Sequence, residues 1–461
     1  MKLVRREFLK KAGAFSASGL LPSGILNFES GAEKQETSSF LIKDARVISM
    51  DAETGYLEKA SVLVEDGIIK EISKNDADFP KNLEVIEASG AILMPGLIDN
   101  HWHLWTSLLR SMAGDTKENG YFKMTERFSK LYTPEDMKLA AEYAAAEAIN
   151  SGITCVNDFN HNARSPEFVM ASFDALAKMG IRGHVAYSGY RDLSSNTPTD
   201  WDGIRQVYEQ ISGNKKYHNI SLGLGARSVN SPFLEEDWQK ARELGLPITI
   251  HINQEGHIEK LYAKGLLAQD VNIIHANVVT DEEIAKVAQS GAFITMTPYT
   301  EMRIGFGFPQ INRFRKANVN LGIGIDTTAL SGNADLFGVM KVLQNIANAE
   351  ARSEFELLPQ ELLKMATIDA ANIQRIQNKT GSITPGKQAD LILLRKDDLN
   401  FSTGNMPYHL VTEAAQPENV EFVSVSGKIL KRDGELVGAN RVQLLVKAKE
   451  AFNRFSKELK Q

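Results

Sequence analysis

Between residues 97 and 326, short apolar runs of strand length alternate with segments of helical character, and no other feature narrows the possible folds as sharply. The runs are Leu97 to His101, Ile153 to Asp158, Ile181 to Ala186, Ile220 to Ala226, Pro247 to Ile252, Asn272 to His275, Ala292 to Thr297 and Asn320 to Asp326. Alternating strands and helices build βαβ units, whose strands run parallel. Helix starts are legible in the gaps: Thr133-Pro134-Glu135-Asp136 and Thr280-Asp281-Glu282-Glu283 each set a hydroxyl cap before an acidic first turn. Eight units over about 280 residues predict an α/β fold of the (β/α)8 TIM-barrel type, with chemistry at the C-terminal ends of the strands.

The chain has 461 residues, enough for a barrel and something smaller beside it. Short Val/Ile-rich runs with turns between them occur at both ends: Phe40 to Ser49, Ala60 to Glu65, Gly67 to Ile72 and Leu83 to Ala88, then Asp390 to Leu394, Val420 to Val425 and Lys428 to Leu430. Two terminal β segments can share one small domain. The expected organisation is a composite β-sandwich from residues 40–95 and 378–440, a barrel over 96–377 inserted between them, and a charged C-terminal helix over 441–461.

Ahead of residue 40, Arg5-Arg6-Glu7-Phe8-Leu9-Lys10 precedes a short, weakly apolar stretch from Ala12 to Leu21 and a polar Gly/Ser/Glu-rich linker. The stretch is too short to span a bilayer, and a basic start before it resembles a twin-arginine export signal over residues 1–39. The expectation is an exported, periplasmic or extracellular protein with no stable membrane insertion once the signal is removed. A net charge of −6, from 58 acidic against 52 basic side chains, gives no footprint for nucleic acid. The single cysteine, Cys155, sits in an apolar run and reads as a buried, inert thiol. The sequence leaves the oligomeric state open, a homo-oligomer included.

His101-Trp102-His103 lies just past an apolar run, and residues two apart on a strand point to one face, so two imidazoles can share one ion. His251, His275 and Asp326 close three further apolar runs. Polar residues at the C-terminal ends of barrel strands are poorly explained by core packing and well explained by chemistry.

Taken with their surroundings, these residues resemble the amidohydrolase superfamily, in its branch of cytosine and S-adenosylhomocysteine deaminases and triazine chlorohydrolases. The anchors are Pro95-Gly96-Leu97-Ile98-Asp99-Asn100-His101-Trp102-His103, His275 with Thr280-Asp281-Glu282-Glu283, Gly322-Ile323-Gly324-Ile325-Asp326, and Gly381 through Asp390. The resemblance implies that His101, His103, His251 and Asp326 hold one divalent ion, zinc before iron, and that His275 contacts its water. No lysine lies in Ile220 to Ala226, where binuclear members carry a carboxylated one, so a single metal is expected. Three nitrogens and a carboxylate leave room for water, whose pKa the ion lowers toward neutrality. Asp326 is then expected to accept its proton and pass it to the leaving group, and His275 to orient the hydroxide or stabilise the oxyanion.

The deaminases of this branch resemble His-x-x-Glu after the fifth strand, where Glu protonates a ring nitrogen, but here the run is His251-Ile252-Asn253-Gln254. Glutamine supplies no proton, and strand alternation would turn Glu255 the other way. That favours a small-molecule amide, lactam, cyclic urea or carbamate over the alternative, deamination or dehalogenation of a nitrogen heterocycle. Gln254, Arg227 and Glu301, at positions where the branch has other residues, are expected to contact substrate. Trp105 belongs to an aromatic stretch, with Trp102, Tyr121 and Phe122, that can wall a ring. Arg227 or Arg303 can pair a substrate carboxylate, as on an N-acyl amino acid. His184 reads as packing, His218 and His409 as loop residues, His257 as a helix start, and His161 as a residue that can line the pocket. A non-catalytic metal-bearing protein is the reading from another class; the acid/base pair His275 and Asp326 beside a full ligand set argues against it.

Overall fold

A computed structural model describes residues 39–74, 79–194 and 196–458. The Arg5-Arg6 segment lies outside them. Among the described residues, eight parallel strands form one sheet in strict chain order: Leu97–Ile98, Ile153–Asn160, Arg182–Ser188, Ile220–Ala226, Ile248–Ile252, Val271–His275, Phe293–Met296 and Asn320–Ile323. Each is offset from its predecessor by a helical crossover, such as Pro134–Asn150 and Asp281–Ser290. Both of these helices begin with the reciprocal cap read from sequence, Thr133 with Asp136 and Thr280 with Glu283.

The eight predicted runs are all present, with the first and last shortened. Past Ile98 and Ile323 the backbone leaves regular pairing yet keeps bonding, and this closes the barrel. Asn100 N donates to the Ile323 carbonyl (3.0 Å), Asp326 N to the His101 carbonyl (2.7 Å) and His103 N to the Asp326 carbonyl (2.6 Å). On the other side Trp102 N donates to the Asn157 carbonyl and Phe159 N to the Trp102 carbonyl, each at 2.7 Å. The segment 101–103 is therefore clamped between the second and eighth strands. Gly324 permits the approach: a Cβ there would lie 2.7 Å from the His101 carbonyl oxygen.

Segments on either side of the barrel form a second sheet of nine strands, whose path runs from Ile68–Ser73 through Tyr56–Glu65, Phe40–Ile48, Ile92–Pro95 and Leu391–Leu394 to Glu435–Leu436. Phe40 and Phe422 meet edge to face at 5.7 Å although three strand steps separate them. In a flat sheet three steps span about 14 Å. The sheet must curl over its own core, which is how one hydrogen-bonded path makes a sandwich-like layer around Phe40, Ile42, Val62, Leu391 and Phe422. Sheet and barrel lie in one compact unit.

A buried ion pair ties them: Arg182, at the start of the third barrel strand, donates Nε to Asp390 Oδ2 at 2.8 Å and Nη2 to Oδ1 at 3.1 Å. The C-terminal helix, Arg441–Glu458, returns to the barrel by stacking Phe455 on Tyr132 (4.7 Å). No helix among the described residues is long and apolar enough to cross a membrane.

Candidate active site

Four of the sequence-derived residues converge at the C-terminal mouth of the barrel: one ligand atom each from His101, His103, His251 and Asp326 lies within 4.8 Å of the others. His101 and His103 project to one side of the clamped segment while Trp102, between them, is fully buried on the other. His251 comes from the fifth strand. Asp326 follows the eighth and takes φ 63°, a left-handed conformation that a non-glycine residue adopts at a cost of about 1–2 kcal/mol. The turn swings its carboxylate back over the barrel. The ring of Phe159 packs on His101, His103 and His251 at 5.7, 5.5 and 4.5 Å and fixes their planes.

The donor chemistry at this centre calls for a cation. His103 Nδ1 lies 2.8 Å from the Phe159 carbonyl, which only accepts, so Nδ1 carries the proton and Nε2 offers a lone pair. That Nε2 faces Asp326 Oδ1 at 3.2 Å, and His101 Nε2 faces the same oxygen at 3.3 Å. His251 Nε2 approaches His101 Nε2 at 3.1 Å. Burial and neighbouring imidazoles push His101 down to about 3 and His251 well below the usual histidine value, so both are neutral. His103 Nε2 and Asp326 Oδ1 are thus two acceptors facing each other, and one central cation satisfies both while taking a lone pair from each of the neutral His101 and His251. Zinc bonds of about 2.0–2.1 Å in tetrahedral array set donor atoms about 3.3 Å apart, close to the spacings present. The residues therefore fit a single divalent ion.

His275 closes the sixth strand with φ 79° and faces the same cavity. Its Nδ1 lies 3.3 Å from Glu301 Oε1 and 3.1 Å from Thr297 Oγ1. Burial opposes its charge, yet the carboxylates of Glu301 and Asp326 hold His275 above its ordinary value. Glu301 is fully buried; it also accepts Thr297 N at 2.7 Å and Asn277 Nδ2 at 3.3 Å. It stands behind His275 and does not line the cavity.

Beside the ligands opens a cavity of about 510 Å³, a volume suited to a small molecule. Of the substrate contacts expected from sequence, Arg227 lines it. Four others do not. Gln254 is exposed in the turn after the fifth strand, and Asn253 lines the cavity in its stead. Glu255 is exposed too, because the strand ends at Ile252 and alternation no longer governs direction. Arg303 points to solvent from the helix after the seventh strand. Trp105 is buried below the wall, donating Nε1 to His161 Nδ1 at 2.9 Å, while His161, Tyr121 and Phe122 face the space.

Sequence reasoning missed Thr300, whose hydroxyl donates to Asp326 Oδ2 at 2.6 Å, since a threonine inside a helix carries no local signal. It also missed Arg191 in the cavity wall; its place just past the third strand end is the signal that found the histidines. Cys155 is buried, its thiol pushed up to about 12 by desolvation. His184 packs inside the barrel against Ser221 Oγ at 2.9 Å.

Fold and site together define a metal-dependent hydrolase on a parallel barrel. The pattern of the amidohydrolase family matches residues 92–430, and the chain belongs to that family of hydrolases acting on carbon–nitrogen bonds. It is 26% identical to a 5-methylthioadenosine/S-adenosylhomocysteine deaminase of Caldicellulosiruptor saccharolyticus, covering 89% of this chain and 97% of that one. A 5'-deoxyadenosine deaminase of Methanosphaera stadtmanae is 28% identical, over 90% of this chain and 99% of its own. Among solved structures, a zinc-bound adenosine deaminase from Xanthomonas campestris superposes with a TM-score of 0.81 at 22% identity, covering 91% and 98% of the two chains. Atrazine chlorohydrolase from Arthrobacter aurescens, complexed with zinc, gives 0.80 at 22%, covering 90% and 100%.

Proposed function

We propose that this enzyme hydrolyses the C–N bond of a small amide, lactam, cyclic urea or carbamate, with His101, His103, His251 and Asp326 holding one divalent ion, zinc before iron. The observation that carries the choice of substrate is that Asp326 is the only carboxyl group among the described residues lining the cavity. Protonating a heteroaromatic ring needs a second acid, and Gln254 and Glu255 stand outside. A carbonyl substrate has no such need.

A divalent ion held there supplies a water of lowered pKa and positive charge against the substrate's oxygen. Asp326 accepts the proton of the attacking water and delivers it to the leaving nitrogen, its second oxygen steadied by Thr300. His275, its Nδ1 committed to Glu301 and Thr297, turns Nε2 to the cavity and donates to the oxygen that gains charge. Water adds to the carbonyl carbon and the C–N bond breaks, giving an acid and an amine. The phenyl wall of Phe159 and the buried layer behind it keep bulk water from the reacting atoms.

The second reading, deamination or dehalogenation of a nitrogen heterocycle, is favoured by the curated relatives, which are named as deaminases. It requires the 254–256 turn to rearrange. Screening the purified, zinc-loaded protein against lactams, cyclic ureas, carbamates, N-acyl amino acids and aminoheterocycles separates the two. Efficient turnover of an aminoheterocycle that Glu255→Gln abolishes would replace the first reading with the second. Export through Arg5-Arg6 is a further part of the proposal; lysine at both positions is expected to retain the protein in the cytoplasm, and unchanged export of that variant would refute it.

A further inference from the structure

Among the described residues, Arg191 is one of two arginines set into the cavity wall that the metal-binding residues share. It follows the third barrel strand, and its guanidinium rests over the rings of Tyr121 (5.4 Å) and Phe122 (5.3 Å). Nη2 donates to the Tyr121 hydroxyl at 3.3 Å, and Nε is buried with no partner. No carboxylate pairs with Arg191 among the described residues. The adjacent acid, Asp192, is taken by Arg164 (2.7 Å) and Lys130 (3.4 Å). An unpaired, partly desolvated guanidinium is costly unless a ligand completes it.

Arg227 adds a second unpaired cation to the same wall, held by the carbonyls of Ser194 (3.1 Å) and Thr197. Against these two charges the lining offers, among the described residues, Asp326 alone, and a divalent ion held there would neutralise it. The wall is thus electropositive. Tyr121, beneath Arg191, lines the same cavity of about 510 Å³ as His103, His251 and Asp326, so a small substrate gripped by Arg191 shares that space with the metal-binding residues.

We propose that the substrate carries a carboxylate close to the scissile C–N bond, as in an N-acyl or N-carbamoyl amino acid or a carboxylated lactam, and that Arg191 grips this carboxylate while Arg227 adds attractive potential. The planar guanidinium presents paired N–H donors that match a carboxylate's two oxygens, and the aromatic rings hold its plane. The inference rests on the amidohydrolase reading for the scissile bond, but the charge it assigns to the substrate applies equally to an amide or a ring amine.

The test uses matched pairs: N-acetyl amino acids against their primary amides, and aminopyrimidine carboxylates against the parent aminopyrimidines. Turnover and calorimetric binding are measured with the zinc-loaded full chain. The acid member of a pair is expected to exceed its neutral partner at least about tenfold in kcat/KM, with Arg191→Met collapsing that ratio toward one and Arg191→Lys retaining part of it. Zinc content and melting temperature of each variant report folding, and Arg227→Met, whose guanidinium is already held by the Ser194 and Thr197 carbonyls, should lower the same ratio less. Equal use of acid and neutral members by the wild type overturns the proposal, as does an undiminished ratio in Arg191→Met, or the absence of acid-selective binding to the wild type. Acid-selective turnover confined to the aminopyrimidines would leave the proposal standing and refute the amide reading instead.

Discussion

The barrel buries charge at both its ends, and the two clusters are built to opposite ends. At the N-terminal side Arg182 is saturated: besides both oxygens of Asp390 it reaches Gln388 Oε1 (2.6 Å), Ser426 Oγ (3.0 Å) and Asn219 Oδ1 (3.1 Å). Asp390 in turn accepts Ser426 N at 2.7 Å. Each guanidinium nitrogen has an acceptor, and the cluster pins barrel to sheet. At the C-terminal side the imidazoles of His101 and His103 crowd the carboxylate of Asp326 at 3.3 and 3.2 Å, His251 approaches His101 at 3.1 Å, and both His275 and Asp326 take left-handed backbone. Satisfied polar burial marks a joint; convergent acceptors and a strained backbone mark a place that binds something.

The largest effects should come from the unsatisfied end. Asp326→Asn keeps shape but removes the proton shuttle and weakens the metal, and turnover of any substrate is expected to fall about 10³-fold or more, measured as kcat at saturating substrate. His101→Ala with His103→Ala should lose the ion altogether by elemental analysis; two ions per chain in the active wild type, or undiminished metal in the double variant, would break the site as described.

At the satisfied end the loss should be of stability, not chemistry. Arg182→Ala leaves Asp390 buried without its partner and is expected to cost about 3–5 kcal/mol in urea unfolding, whereas Arg182→Met combined with Asp390→Leu should recover much of it. Retained stability in the single variant would mean the joint is dispensable.

Asp158 sharpens the contrast with a smaller, pH-dependent effect. Burial pushes it up to about 6 from the usual carboxyl value, against hydrogen bonds from Ser172 Oγ and Leu104 N. A folded-state pKa raised in this way contributes stability at low pH that is lost as pH rises through the folded value. Relative to Asp158→Asn, the wild type is therefore expected to lose about 1 kcal/mol between pH 5 and 8, from urea midpoints at each pH. An unchanging difference would show that Asp158 is ionised throughout. The smallest effect belongs to Gln254→Ala: an exposed side chain off the cavity should change kcat/KM by less than about twofold, and a larger fall would put Gln254 back against the substrate.

Much of this molecule is legible without coordinates because its signals are periodic or terminal. Eight apolar runs with helices between them admit few arrangements besides a barrel, and a histidine or aspartate ending such a run lands at the catalytic mouth by construction. That logic located His101, His103, His251, His275 and Asp326, and the two capped helices, from residue order alone. It failed where the chain leaves the strands. Gln254 and Arg303 were placed by extending position in the chain into turns and helix starts, where local φ/ψ and packing decide direction. Glu301 was expected against the substrate and lies behind His275, because its carboxylate turns back to the Thr297 amide that caps its own helix and across to Asn277 from another segment. Trp105, Thr300 and Arg191 owe their roles to contacts with His161, Asp326 and Tyr121, 56, 26 and 70 residues away in the chain. Sequence by itself determined which side chains stand at the strand ends, since backbone periodicity is a local property. Only the tertiary structure decided which of their neighbours face the cavity, since that depends on loops whose course is set by what they pack against.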